Sequence, residues 1–324
     1  MVWDPVAQAP TLLANFKQPV DATPFRGDLI VTEAATGWAT TADEYIDRGM
    51  GLRDQYKGDP LVSTHFAPHA PYSVSDATLS RVRRLADELD LPVALHLHET
   101  AWEIGQSEQK CGMRPLARLA ALGLASQQLV AVHMTQVVAE DLDTLAACGA
   151  SVVHCPESNL KLGSGVCPLP GLLGRGVRVS LGTDSAASNN DLDVLGEART
   201  AGLIASGMTG APGSLVASDL LRMATLEGAR ALGLGEVTGS LVPGKWADLC
   251  CMDLRHPRSW PVCDVPATVI YSGSSRQVTD TWVAGRRLLA DGNLTYLDEA
   301  AAMDRADSWR RRMDSSAAES RADG

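Results

Sequence analysis

A chain of 324 residues, 45% hydrophobic and 21% charged, carries enough apolar surface for one large α/β domain with an appendage or for two ordinary domains. A peptide, a small isolated module and a fibrous chain are excluded. Its 39 acidic against 28 basic residues give a net charge of −11, a field that repels phosphate backbones and anionic headgroups, so neither nucleic acid nor a membrane is an expected partner.

Seven cysteines without a C-x-x-C pair, and the lack of a membrane-length apolar run or a signal-peptide pattern, point to reduced thiols and a cytoplasmic location. Residues 1–26 contain no histidine and no readable repeat. From Leu29 onward short apolar runs alternate with helical patterns, the signature of β/α units around a parallel sheet. Six runs read as strands: LIVTEA from Leu29, STHFAPH from Ser63, PVALHLHE from Pro92, LVAVHM from Leu129, SVVHCP from Ser151 and RVSLGTD from Arg178. Between the second and third, Leu79, Val82, Leu85 and Ala86 recur on one helical face, which predicts a helix over Asp76 to Leu89 with Ser75 as its N-cap.

In parallel α/β architectures the polar residues that close each strand converge on one mouth. Six of the seven histidines (65, 69, 96, 98, 133 and 154) fall in or at the end of these runs, and Asp184 closes the sixth. Side chains from different strand ends can aim at one point, so His96, His133 and Asp184 form a candidate metal-binding set. Bound zinc would supply hydroxide at neutral pH, and a nearby carboxylate must then move protons. Glu99, at the same mouth as His96, is the candidate. Strict alternation would put His96 and His98 on one face and turn Glu99 away; a strand that ends near Leu97 restores it. PESNLKLGSG from Pro156 reads as a loop at the mouth, either a plain connection or a substrate-holding segment.

After Asp219 the pattern predicts a helix from Leu220 to Leu232, then short strands in ADLCCMD, TVIYSG and QVTDTWVAGRRLL. The stretch from Ala300 to Gly324 begins as a charged helix and is expected to fray at SSAAESRADG. The glycines of LGLGEVTGSLVPGK lack a strand-loop-helix setting and read as turns, not as a phosphate loop.

The blocks APHAPYSVSD, HLHET, AVHMT, VVHCPESNLKLGSG, LGTDSAASNNDLD and GSLVPGKWADL occur in an order that resembles the amidohydrolase superfamily, in particular its 5-methylthioadenosine/S-adenosylhomocysteine deaminases and the related triazine hydrolases. The resemblance implies a (β/α)₈ barrel with a β-sandwich portion and one divalent metal, zinc or else iron. It also implies residue roles. His96 would be a metal ligand and Glu99 the acid/base that protonates the ring nitrogen of the substrate. His133 would hold or orient the attacking hydroxide, and Asp184 would be the last ligand and first acceptor of the water's proton. His69 would contact substrate, with Ser188 and Asn159 as further candidates.

The same family takes two more ligands from a His-x-His at the end of its first strand, and this chain has none ahead of His65. LIVTEA would be the third strand, so the expectation is a barrel without its first two strands. Its parts would be an unmatched segment 1–26, a partial barrel 27–235, a β-sandwich portion 236–296 and a C-terminal helix and tail 297–324. Unpaired strand edges would leave room for a partner chain, a homo-oligomer included. Three functions follow: a deaminase of an adenosine-like nucleoside, a truncated non-catalytic form, or a sister hydrolase acting on a triazine or guanine.

Overall fold

All six apolar runs form strands, each shorter than its hydrophobic pattern because the polar residues at its end turn away from the sheet. They are β1 (Asp28–Val31), β2 (His65–Pro68), β3 (Val93–Leu97), β4 (Leu129–His133), β5 (Ser151–His154) and β6 (Arg178–Leu181), parallel and hydrogen-bonded in chain order. The computed structural model describes residues 28–59 and 61–322, so the expected N-terminal segment lies outside the described residues. The registers Leu97↔His133 and His154↔Leu181 set the C-terminal ends of adjacent strands side by side. Within β3 the pleat buries Val93, Leu95 and Leu97 on one face and turns His96 to the other.

Helices follow the strands as the α/β class requires: α1 (Ala42–Gln55), α2 (Asp76–Leu89), α3 (Ala101–Cys111), α4 (Pro115–Ala121), α5 (Ala139–Cys148), α6 (Pro156–Leu162), α7 (Leu169–Leu173), α8 (Val194–Thr209), α9 (Ala217–Met223) and α10 (Leu226–Ala231). α2 starts where its pattern predicts, with Ser75 Oγ accepting from the Thr78 amide and Leu79, Val82 and Ala86 buried. These faces and the strands share one core that includes Phe66, Leu95, Leu129, Val152, Leu172 and Leu195. Among the described residues β1 and β6 are the two edges of this sheet.

Four expectations change. PESNLKL is helix α6, not a loop, because Pro156 sits at its first turn and Gly163, at φ 68°, closes it. The helix predicted over Leu220 to Leu232 is split at Thr225, whose φ of −130° and ψ of −92° leave the helical region. TVIYSG is not a strand. Asp264 caps the turn before it, Oδ1 accepting from the Ala267 amide, and Thr268–Ser272 coils as a π-helical turn with Val269 and Ile270 buried. A short apolar run reads alike as a strand or as a buried helical turn. Finally, α11 (Glu299–Ala322) carries helix as far as Ala322, into the segment expected to fray. A second sheet is antiparallel in the order β10 (Asn293–Leu294), β9 (Arg286–Ala290), β8 (Val278–Val283), β7 (Leu249–Met252). Among the described residues no helix is long and apolar enough to cross a membrane.

Candidate metal centre and active site

Three strand ends meet at one point. His96 on β3, His133 on β4 and Asp184 just beyond β6 each offer a donor atom, and these atoms all lie within 4.8 Å of one another. The two imidazoles stack, their centroids 5.4 Å apart. His133, Met134 and Asp184 all have left-handed backbones, with φ of 80°, 48° and 60°. Such angles cost non-glycine residues about 1–3 kcal/mol each and concentrate at functional sites.

The donors fit a divalent cation. His96 Nδ1 donates to the His69 carbonyl at 2.7 Å, which leaves Nε2 with its lone pair facing the cluster. His133 Nδ1 lies 2.9 Å from Asn159 Nδ2, and Asn159 Oδ1 is buried with no partner. Turning that amide over would place Oδ1 on an Nδ1–H and free His133 Nε2 for an ion. Asp184 Oδ2 accepts from Ser158 Oγ at 2.6 Å and from Ser188 Oγ at 2.7 Å. Burial pushes the Asp184 carboxyl up, but the Ser158 and Ser188 hydroxyls, His133 and the Ser185 amide together outweigh it and hold the group below its ordinary range, so it is anionic at neutral pH. Two imidazoles and a carboxylate make a three-ligand set of the kind that leaves a position open for water. Replacing both serines by alanine is expected to weaken zinc binding by roughly 10–100-fold and to move its acid limit to higher pH, measured by chelator competition across pH 5–8.

Glu99 reaches the site because the strand stops early. β3 ends at Leu97 and His98 turns left-handed at φ 53°. The buried Glu103 carboxylate fixes that turn: Oε1 accepts from the His98 amide at 3.0 Å and Oε2 from the Glu99 amide at 2.8 Å. Thr135 Oγ1 then donates to the Glu99 carbonyl at 2.6 Å. The Glu99 carboxylate ends with Oε1 accepting from Ser164 Oγ at 3.1 Å and Oε2 3.9 Å from His133 Nε2. His98 takes no part in the donor cluster. It is fully buried, and its Nε2 accepts from the Leu116 amide at 3.0 Å.

His69 lies at the rim, its ring 5.2 Å from that of His96 and 5.8 Å from that of Tyr72. Its pKa is lowered by burial and then by His96, so it is neutral at pH 7. Asn159 and Ser188, expected as substrate contacts, are buried, with Asn159 Nδ2 2.9 Å from His133 Nδ1 and Ser188 Oγ donating to Asp184 Oδ2. His154 is also buried, its Nδ1 without a partner, and burial holds its pKa down to about 3. Sequence reasoning missed Ser158, Ser164, Glu103 and Glu197. Only Glu103 had a readable signal, the spacing Thr100-x-x-Glu103 of a helix start, with the Glu103 amide donating to Thr100 Oγ1.

The sequence profile of the amidohydrolase family matches residues 38–288. The chain belongs to that family. It is 44% identical to the 5-methylthioadenosine/S-adenosylhomocysteine deaminase of Teredinibacter turnerae over 87% of its own length and 64% of that protein's. It superposes on the crystal structure of an adenosine deaminase from Xanthomonas campestris with bound zinc at a TM-score of 0.88 and 48% identity, covering 89% of this chain and 66% of that one. Against the zinc complex of atrazine chlorohydrolase from Arthrobacter aurescens the TM-score is 0.77 and the identity 26%, over 82% of this chain and 59% of that one. The amidohydrolase chain thus spans less than two thirds of each of these relatives.

Proposed function

We propose that this amidohydrolase is a metal-dependent deaminase that releases ammonia from an adenosine-like nucleoside such as 5-methylthioadenosine or S-adenosylhomocysteine. The observation that carries the reading is the convergence of His96, His133 and Asp184 with the Glu99 carboxylate beside them. The higher identity to adenosine-type deaminases than to the triazine hydrolase favours the nucleoside. On this reading the six-stranded sheet is strands three to eight of an eight-stranded barrel, followed by its β-sandwich portion. Seven free thiols fit a reducing cytoplasm.

His96, His133 and Asp184 would hold the ion, zinc in preference to iron because a zinc complex is known for two of the similar structures. Bound there, the ion supplies hydroxide at neutral pH by lowering the pKa of water to about 7. Glu99 gives a proton to the purine ring nitrogen next to the amino-bearing carbon and regains one from the hydroxyl added to that carbon as the oxo form develops. Asp184 takes the proton lost by the attacking water and passes it to the departing amine, and His133, held by Asn159, fixes the place of that oxygen through the ion it would help to hold. One C–O bond forms, one C–N bond breaks, and the purine leaves as its oxo form with one ammonia. His69, at the rim, contacts the substrate, while Asn159 and Ser188 hold His133 and Asp184 in place.

Zinc content per chain and ammonia release from 5-methylthioadenosine test this together. Near one zinc per chain with ammonia release supports the reading. A zinc-loaded chain that releases none sinks it in favour of a non-catalytic form.

A further inference from the structure

Glu197 lies in the first turn of α8, fully buried, and takes no part in the chemistry proposed above. A buried carboxylate is costly unless its oxygens are used, and both are. Oε2 accepts from the Glu157 amide at 3.0 Å and Oε1 from Asn189 Nδ2 at 2.6 Å. These two donors belong to different arms of the mouth. Glu157 precedes Ser158 at the start of α6, and Asn189 follows Ser188 in the loop after β6. The serines next to them are the two that converge on Asp184 Oδ2. Asn189 has no freedom to rearrange, because its Oδ1 accepts from the Leu192 amide at 2.6 Å. That bond closes a loop in which Asn190 and Leu192 are left-handed, at φ 87° and 55°.

We infer that Glu197 is a positioning residue for the metal centre: one carboxylate clamps the α6 arm to the β6 loop, and so fixes both serines that orient Asp184. The inference rests on the proposed reading of Asp184 as a metal ligand. It adds a residue that touches neither ion nor substrate.

Hydrogen-bond polarity supplies the test. In Glu197→Gln one acceptor becomes an NH₂ group that faces a donor. Asn189 cannot compensate by flipping, since Nδ2 would then face the Leu192 amide. Asn189→Asp alone puts two carboxylates together. In the double variant the new side-chain amide at position 197 accepts from the Glu157 amide through its oxygen and donates through its NH₂ to the new carboxylate at position 189. That carboxylate still accepts from the Leu192 amide, so every bond is restored with the charge moved across the clamp.

Zinc affinity by chelator competition at pH 8.5, above the pKa of about 8 to which burial raises Glu197, is measured with amide hydrogen exchange of residues 156–163 and 184–193. Each single substitution is expected to weaken zinc about 10-fold and to speed exchange in both segments, and the double variant to recover most of both losses. Val82→Ala, a core truncation in α2, should lower the melting temperature and leave zinc affinity unchanged. Parental zinc affinity and exchange in Glu197→Gln, no recovery in the double variant, or an equal zinc loss in Val82→Ala would each overturn the inference. A parent chain that binds no zinc defeats the metal-site reading itself, and the exchange arm then decides the clamp alone.

Discussion

Glu99→Gln is expected, on the proposed deaminase reading, to slow ammonia release from 5-methylthioadenosine by about 10²–10⁴-fold, the range for loss of a positioned general acid/base, with zinc content and affinity unchanged. Gln keeps the size of Glu99 and can still accept from Ser164 Oγ, so the turn built by Glu103 is preserved. The proton that the carboxylate would move to the ring nitrogen is lost. Glu99 lies outside the donor cluster, and this separation makes the substitution informative. A rate loss accompanied by equal zinc loss would instead place Glu99 among the ligands. An unchanged rate would remove it from the chemistry.

The second large effect is on stability. Burial holds His154 neutral, with its pKa near 3 against 6.5 for a free imidazole. Between those values the unfolded chain binds a proton that the folded chain refuses, so stability falls as pH falls from about 6.5 towards 3 and is fully retained above 6.5. The slope approaches about 1.4 kcal/mol per pH unit and sums to the order of 5 kcal/mol. His133 is also depressed by burial and acts in the same direction. Asp141, held to about 2 with burial opposed by hydrogen bonds from His98 and Arg114, continues the loss below pH 4. Urea unfolding at pH 7, 6 and 5 with a chelator present should show the steep dependence, and His154→Gln should flatten it by about one proton. Parallel curves for the two proteins would contradict the assignment.

His96, Glu99, His133 and Asp184 were legible because strand ends in an α/β chain share one mouth, and imidazole and carboxylate groups at successive ends have few other reasons to recur there. Whether Glu99 faces that mouth was not legible. Alternation turned it away, and the answer depended on where β3 stops, which the Glu103 carboxylate decides by capturing two amides. The burial of Asn159 against His133 and of Ser188 against Asp184 was not legible either. Side chains at a strand end can face the opening or the wall behind it, and packing of α6 and of the β6 loop selected the wall.

By itself the amino-acid sequence determined the α/β class, the six parallel strands, helix α2 with its cap, and the candidate metal and acid/base residues, since hydrophobic period and strand-end chemistry are local properties. It misread the π-helical turn at Thr268–Ser272 as a strand, ran a helix through the break at Thr225 and took PESNLKL for a loop, because short apolar or mixed runs suit more than one backbone. Only the tertiary structure revealed the supports of the site: Ser158 and Ser188 on Asp184, Asn159 on His133, Glu103 beneath Glu99 and Glu197 between the two arms. Ser158 and Asn159 each reach a partner 26 residues away, and Glu197 reaches the Glu157 amide across 40. A hydrogen bond at that separation is written in the packing of elements rather than in any local pattern.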